Sequence, residues 1–114
     1  MSAKGRGSRA ERKVKAQLEG EGWLVVKAGG SLGAADLLAC RAGRIMLVQV
    51  KAGGRSDYEH FPPEEREQLR DAARRAGGEA WLVRCYPRRP PKWVPEAEWP
   101  GGPSPAAQAI RPAA

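Results

Sequence analysis

Histidine and phenylalanine occur once each in the 114 residues, cysteine twice, and no apolar run is longer than four residues. Each scarcity excludes something. Two thiols and one imidazole cannot supply a four-ligand Cys/His zinc site, and two thiols do not make a disulfide framework. Runs such as Trp23 to Val26, Leu37 to Cys40 and Ile45 to Val48 are too short for a transmembrane helix or a signal-type hydrophobic region. A reduced, cytoplasmic chain with no membrane contact is therefore expected. The length rules out a complete (β/α)₈ barrel and a two-half dinucleotide fold. Acids are also scarce relative to bases: 13 Asp and Glu against 20 Lys and Arg leave a net charge of +7. Such a field on a small domain attracts polyanions. With no amphipathic basic and aromatic helix to lie on lipid, nucleic acid is the expected one.

Charge and proline are unevenly spread. The first fifteen residues hold Lys4, Arg6, Arg9, Arg12, Lys13 and Lys15 against the single acid Glu11, and eight of the ten prolines fall from Pro87 onward. We expect a domain over residues 1–86 and a Pro-rich basic tail over 87–114, extended or partly disordered, with Trp93 and Trp99 as anchors or partner contacts. Between the ends the pattern reads α-β-β-β-α-β. Ser8 followed by Glu11 is a capping-box signature, and Ala10, Val14, Gln17 and Leu18 recur at helical spacing until Gly20 and Gly22. Strands are expected over Trp23–Ala28, Ala35–Arg41 and Arg44–Lys51, the last two joined at Ala42-Gly43. A second helix runs from about Pro63 to Gly77, with Glu64, Glu65 and Glu67 complementing the positive end of its dipole and Leu69, Ala72, Ala73 and Ala76 as its buried stripe. Ala80–Tyr86 is the last strand, parallel to the third through a crossover.

The hairpin carries a geometric consequence. If Arg41 pairs with Arg44 across a two-residue turn, paired numbers sum to 85 and Asp36 lies opposite Gln49. Alternation puts Gln49 and Lys51 on one face and Val48 and Val50 on the other. Opposite Cβ atoms lie roughly 4.5 to 5.5 Å apart, close enough for both side-chain oxygens to hold one cation. An unpaired charge near a core costs several kcal/mol, so the cluster is either a site or a structural ion pair with a hydrogen-bonded glutamine. Glu11 lies beside Val14 and Leu18 on its helix and borders the sheet-facing side. It could reach the cluster, or serve only the helix end.

Three segments in order, Gly5-Arg6-Gly7-Ser8-Arg9-Ala10-Glu11-Arg12, Ala35-Asp36-Leu37-Leu38-Ala39 and Val48-Gln49-Val50-Lys51-Ala52, resemble the PD-(D/E)xK nuclease superfamily, most closely the archaeal-type Holliday junction resolvases. The resemblance covers about Lys4 to Tyr86. It implies a restriction-endonuclease-like α/β core with a mixed central sheet. It further implies that Glu11 and Asp36 help hold Mg²⁺ (or Mn²⁺), that position 49 and the Val50 carbonyl are ligands, and that Lys51 orients or activates the attacking water. Ser31 matches a serine in the loop after the first strand, and Arg12 and Lys27 match basic positions. One departure stands out: the usual acid of the Glu-x-Lys motif is Gln49, whose oxygen coordinates without adding charge.

Hard Mg²⁺ prefers oxygen ligands, and phosphodiester hydrolysis needs charge stabilised on the phosphoryl group, which these residue types provide. Other constellations are weaker. A serine triad would rest on His60 alone, Gly29-Gly30-Ser31 lacks the Lys of a P-loop, and Cys40 and Cys85 fall within strands as small apolar filler. The expected activity is metal-dependent resolution of branched, four-way DNA by a homodimer, since paired cuts need two active sites. Lys4, Arg6, Arg9, Arg12 and Lys27 would hold the DNA backbone. A restriction or repair nuclease on linear DNA, and a non-catalytic DNA-binding module, are the alternatives.

Overall fold

The computed structural model describes residues 3–28 and 34–101, with side chains from Gly7 onward. In chain order it contains helix α1 (Ala3–Gly20), strands β1 (Leu24–Lys27), β2 (Leu37–Arg41) and β3 (Arg44–Ala52), helix α2 (Pro63–Ala76), strands β4 (Glu79–Cys85) and β5 (Lys92–Pro95), and a 3₁₀ turn at Glu96–Glu98. The expected α-β-β-β-α-β order is present, with one strand more. Helix α1 begins at Ala3, upstream of Ser8, so the capping box does not form and Ser8 is an exposed interior position. Gly5 and Gly7 cost the helix only about 1 kcal/mol each, which its buried stripe of Ala10, Val14 and Leu18 offsets.

Among the described residues the strands form one mixed sheet in the order β1-β2-β3-β4-β5. The β2–β3 hairpin keeps the expected register, from Arg41↔Arg44 to Leu37↔Val48. Both turn residues have positive φ, Ala42 at 49° and Gly43 at 82°, as a two-residue turn matching strand twist requires. Strands β3 and β4 run parallel, so the chain must cross over between them, and α2 makes that crossover. The helix stops where Gly77, at φ 70°, turns its N–H back to Ala73 O and Arg74 O.

Period-2 alternation divides β3 between two cores. Met46, Val48 and Val50 pack with Ala10, Val14 and Leu18 of α1, whereas Leu47 packs with Phe61, Leu69 and Ala73 on the α2 side. Gln49 and Lys51 therefore share the α2 face, as expected. The stripe of α2 differs from its expected form: Leu69 and Ala73 are buried, Ala76 is exposed, and Arg70 is buried instead. Its guanidinium lies 5.3 Å from the Trp99 ring centroid and pairs with Glu67 at 3.6 Å and Glu96 at 3.5 Å.

The sheet continues past Tyr86. Strand β5 pairs antiparallel with β4 from Arg84↔Lys92 to Trp81↔Pro95. Proline is tolerated because β5 is an edge strand, where one row of N–H groups has no partner to bond. Trp93 meets Trp81 edge-on at 5.9 Å, and Trp99 is 2 % exposed, edge-on to Phe61 at 5.1 Å with its Nε1 donating to Val94 O. Residues 92–95 thus belong to the sheet and the 3₁₀ turn after them packs on it, and Trp99 is core rather than a partner contact. Residues 102–114 lie outside the described residues.

Candidate active site

The cluster forms just before β2 begins. Asp36 immediately precedes the strand, with its N–H donating to Val48 O at 2.8 Å and its carbonyl accepting from Ala28 N at 2.9 Å. The ladder closes at Leu37 and Val48, one step short of the expected Asp36–Gln49 pair, because Asp36 takes the Val48 carbonyl instead. Its carboxylate then does what a continued backbone would have done: Oδ2 accepts the Val50 N–H at 2.8 Å. The side chains of Asp36 and Gln49 still meet. The hydrogen-bond network orients the Gln49 amide so that its nitrogen donates to Ala34 O and, at 3.3 Å, to Asp36 Oδ2, while its oxygen accepts from Lys51 Nζ at 3.1 Å. Gln49 is 6 % exposed, so it bridges the acid and the base inside the protein.

Lys51 is half-buried and also reaches Glu65 Oε1 at 3.4 Å, in the first turn of α2. From the sequence Glu65 read only as a complement to the helix dipole. The signal that would have singled it out is the placement of Lys51 on the α2 face, which needs an acid opposite.

Glu11 comes from the other layer. It is half-buried on α1, faces Lys27 Nζ at 3.8 Å, and its charge acts on Asp36. Helix α1 begins at Ala3, so Glu11 is not at the helix end and its carboxylate is not used as a cap. Burial, opposed by the Val50 N–H and reinforced by the Glu11 charge, pushes the Asp36 carboxyl up to about 6. Two carboxylates brought together in a partly desolvated place are what a cation relieves, so the donor set fits a hard divalent ion. Among the described residues no three His, Cys, Asp or Glu side chains form a metal cluster. Such an ion keeps several waters, so two carboxylates suffice as its charged ligands.

The remaining expected residues divide. Arg9 and Arg12 are exposed on α1, and Lys27 is exposed on β1 beside Glu11. Lys4 and Arg6 lie on α1, but their side chains fall outside the described residues, as does Ser31 altogether. Cys40 and Cys85 are half-buried free thiols, and His60 is exposed with φ 63°. One residue that sequence reasoning missed is Arg84. Paired with Lys51 across the parallel ladder and fully buried, it donates to Gly53 O and, at 2.8 Å, to Glu59 O, fastening the β3–α2 loop behind the site.

Comparison with known proteins places this arrangement. The family model described as archaeal Holliday junction resolvase (hjc) matches residues 2–98. The chain is 33 % identical over 86 residues to the crossover junction endodeoxyribonuclease Hjc of Sulfurisphaera tokodaii, and 32 % identical over 78 residues to that of Methanocaldococcus jannaschii. These matches cover 71 % and 68 % of this chain but only 60 % and 57 % of the relatives. The chain therefore spans less than two thirds of their length. Among solved structures, the Hjc Holliday junction resolvase of Archaeoglobus fulgidus superposes with a TM-score of 0.66 at 27 % identity, covering 78 % of this chain and 71 % of that one. The restriction-endonuclease-like α/β core expected from the motifs is thus the observed fold. With its family model matched across both helices and the sheet, the chain belongs to the archaeal Holliday junction resolvase family.

Proposed function

We propose that the protein is a cytoplasmic, divalent-metal-dependent endodeoxyribonuclease that resolves four-way DNA junctions by phosphodiester hydrolysis, with Mg²⁺ as the working ion and Mn²⁺ as a substitute. The observation that carries this reading is the meeting of Asp36, Gln49 and Lys51 just before β2 begins, with the charge of Glu11 from α1 acting on Asp36. Glu11 and Asp36 would hold the ion, with oxygens of Gln49 and Val50 completing its ligands; for Gln49 this requires the amide to turn its oxygen from Lys51 toward Asp36. When bound, the ion supplies Lewis acidity to a phosphoryl oxygen and to the attacking water.

The chain's own residues supply the rest. The Val50 N–H fixes the Asp36 carboxylate, so this acid is held in place before substrate arrives. Lys51, held by Glu65, places a half-buried positive charge beside the two acids, where it stabilises charge building on the phosphoryl group. Exposed Arg9, Arg12 and Lys27, with Lys4, Arg6 and Ser31 from segments whose side chains are not described, would hold DNA near the cut.

A four-way junction has two strands to cut, so one active site per chain calls for a symmetric pair. Leu24 and Val26, 77 % and 59 % exposed on edge strand β1, supply apolar surface that a second copy would cover. Among the described residues no helix is long and apolar enough to cross a membrane.

Incubation with a four-way junction and a linear duplex of matched sequence, with and without Mg²⁺, tests the reading. Cleavage of the junction alone, and only with metal, supports it. Equal cleavage of both substrates means a general nuclease, and tight binding without cleavage means a DNA-binding module.

A further inference from the structure

Beyond the acid cluster, the C-terminal ends of β3 and β4 open into a second feature. A cleft of about 730 Å³ lies between the β3–α2 loop and the β4–β5 turn, lined by Arg55, Asp57 and Tyr58 on one side and Tyr86, Arg89 and Lys92 on the other. Its volume is that of a site for a sizeable ligand rather than for a water. None of these residues belongs to the cluster at Asp36.

The charges in the cleft are not balanced. Asp57 is its one lining acid, and it is already occupied: Lys92 Nζ approaches Oδ2 at 2.6 Å and Tyr86 OH donates to Oδ1 at 2.8 Å. Those two hydrogen bonds hold the Asp57 carboxyl below its usual range. Glu59 is turned away into its own loop, where Oε2 accepts the Arg55 N–H at 2.6 Å. Arg55 and Arg89 are left exposed, and among the described residues neither guanidinium has an ion pair. Two forked donors facing one concavity are suited to phosphate oxygens.

The walls are built to stay in place. Arg84 lies beneath the cleft, fully buried, gripping the loop through Gly53 O and Glu59 O with its guanidinium 5.6 Å from the Tyr86 ring centroid. At Gly54, φ 91°, a Cβ would collide with that guanidinium and with the Glu59 carboxylate, so the loop requires glycine there. Across the cleft Arg88 adopts φ 62°, a left-handed conformation that costs a non-glycine residue about 1 kcal/mol or more. The sheet sustains that cost while presenting Arg89.

From this geometry we infer that the cleft between Arg55 and Arg89 binds the phosphodiester backbone of DNA, as a holding site separate from the place of cutting. The inference rests on the nuclease reading for its ligand. Strand β3, which carries Lys51, ends at Ala52, and Gly53 (φ 69°) and Gly54 (φ 91°) turn the chain directly into the loop that lines the cleft, so the cleft adjoins the strand end that carries Lys51.

The test is fluorescence anisotropy in chelator, so that nothing is cut, using a four-way junction and a linear duplex across a range of salt. Arg55→Gln and Arg89→Gln are combined, and Arg75→Gln, which removes one charge from the far end of α2, is the reference. The double variant is expected to bind both DNAs about ten-fold more weakly at moderate salt. Its slope of log affinity against log salt should fall by about 1.8, the value for two fewer neutralised phosphates. With metal restored and protein below saturation, its cleavage rate should fall in proportion to its affinity, while Arg75→Gln should cleave as the unaltered protein does. An unaltered protein that cuts junctions beside a double variant with the reference's affinity and slope overturns the cleft alone. An unaltered protein that binds no DNA overturns the nuclease reading, and the cleft with it.

Discussion

The backbone N–H of Val50 donates to Asp36 Oδ2 at 2.8 Å, so the strand that carries Gln49 and Lys51 also fixes the acid beside them. That single bond stands in for a rung of the ladder just before β2 begins. It ties the position of the carboxylate to the register of the hairpin.

Asp36→Asn keeps an oxygen for Val50 and removes a charge that the fold disfavours. The folded carboxyl titrates near 6 and the unfolded one near 3.8, so without metal the native state binds the proton more tightly. Stability therefore falls as pH rises from about 4 to about 6 and stays reduced above that. In chelator Asp36→Asn should melt at a higher temperature than the unaltered protein at pH 7, and the gain should shrink toward pH 4. Thermal unfolding at the two pH values checks this; a variant less stable at pH 7 contradicts it.

Gln49→Glu adds a charge where the family resemblance puts a ligand. A carboxylate binds a hard cation more strongly than a neutral amide does. The variant should remain active and reach half-maximal cleavage at lower Mg²⁺, read from rate against metal concentration. An unchanged Mg²⁺ dependence means that position 49 serves as a structural bridge.

Glu65 touches Lys51 and none of the acids, so it is a positioning residue. Glu65→Gln should lower the single-turnover rate several-fold while leaving junction affinity and Mg²⁺ dependence unaltered, and Glu65→Asp should recover part of the loss. A shift in Mg²⁺ dependence would place Glu65 on the metal.

Trp99 anchors the 3₁₀ turn against Phe61 and Arg70. Removing so large a buried side chain costs about 3 to 5 kcal/mol. Trp99→Ala should therefore lower the denaturant midpoint strongly, whereas Ala97→Gly, at an exposed position in the same turn, should move it little. Equal and small effects from both would mean that residues 96–101 are not part of the cooperative fold.

The hairpin was legible because a two-residue turn and a period of two leave no freedom: once Arg41 meets Arg44, the faces of Gln49 and Lys51 follow. What escaped sequence reasoning depended on partners distant in the chain. Lys92 to Pro95 read as tail because proline opposes a central strand, yet an edge strand leaves its N–H groups free. Arg70 and Arg84 drew no notice in the sequence because arginine is seldom buried. Their burial rests on Glu96, Trp99, Gly53 and Glu59, which no local pattern connects to them. Ser8 and Glu11 fit a helix start by spacing alone, but equally fit an interior turn of a longer helix.

The central claim is that Asp36 and Lys51 do chemistry while DNA is held elsewhere. The most direct measurement is single-turnover cleavage of a four-way junction in Mg²⁺ by the unaltered protein, Asp36→Asn and Lys51→Ala, with junction affinity measured in parallel in chelator. Loss of a metal ligand or of transition-state charge predicts a rate at least about 10²- to 10³-fold lower in each variant, with affinity within a few-fold. Full cleavage by Asp36→Asn, or a loss of affinity that accounts for the lost rate, would contradict the account.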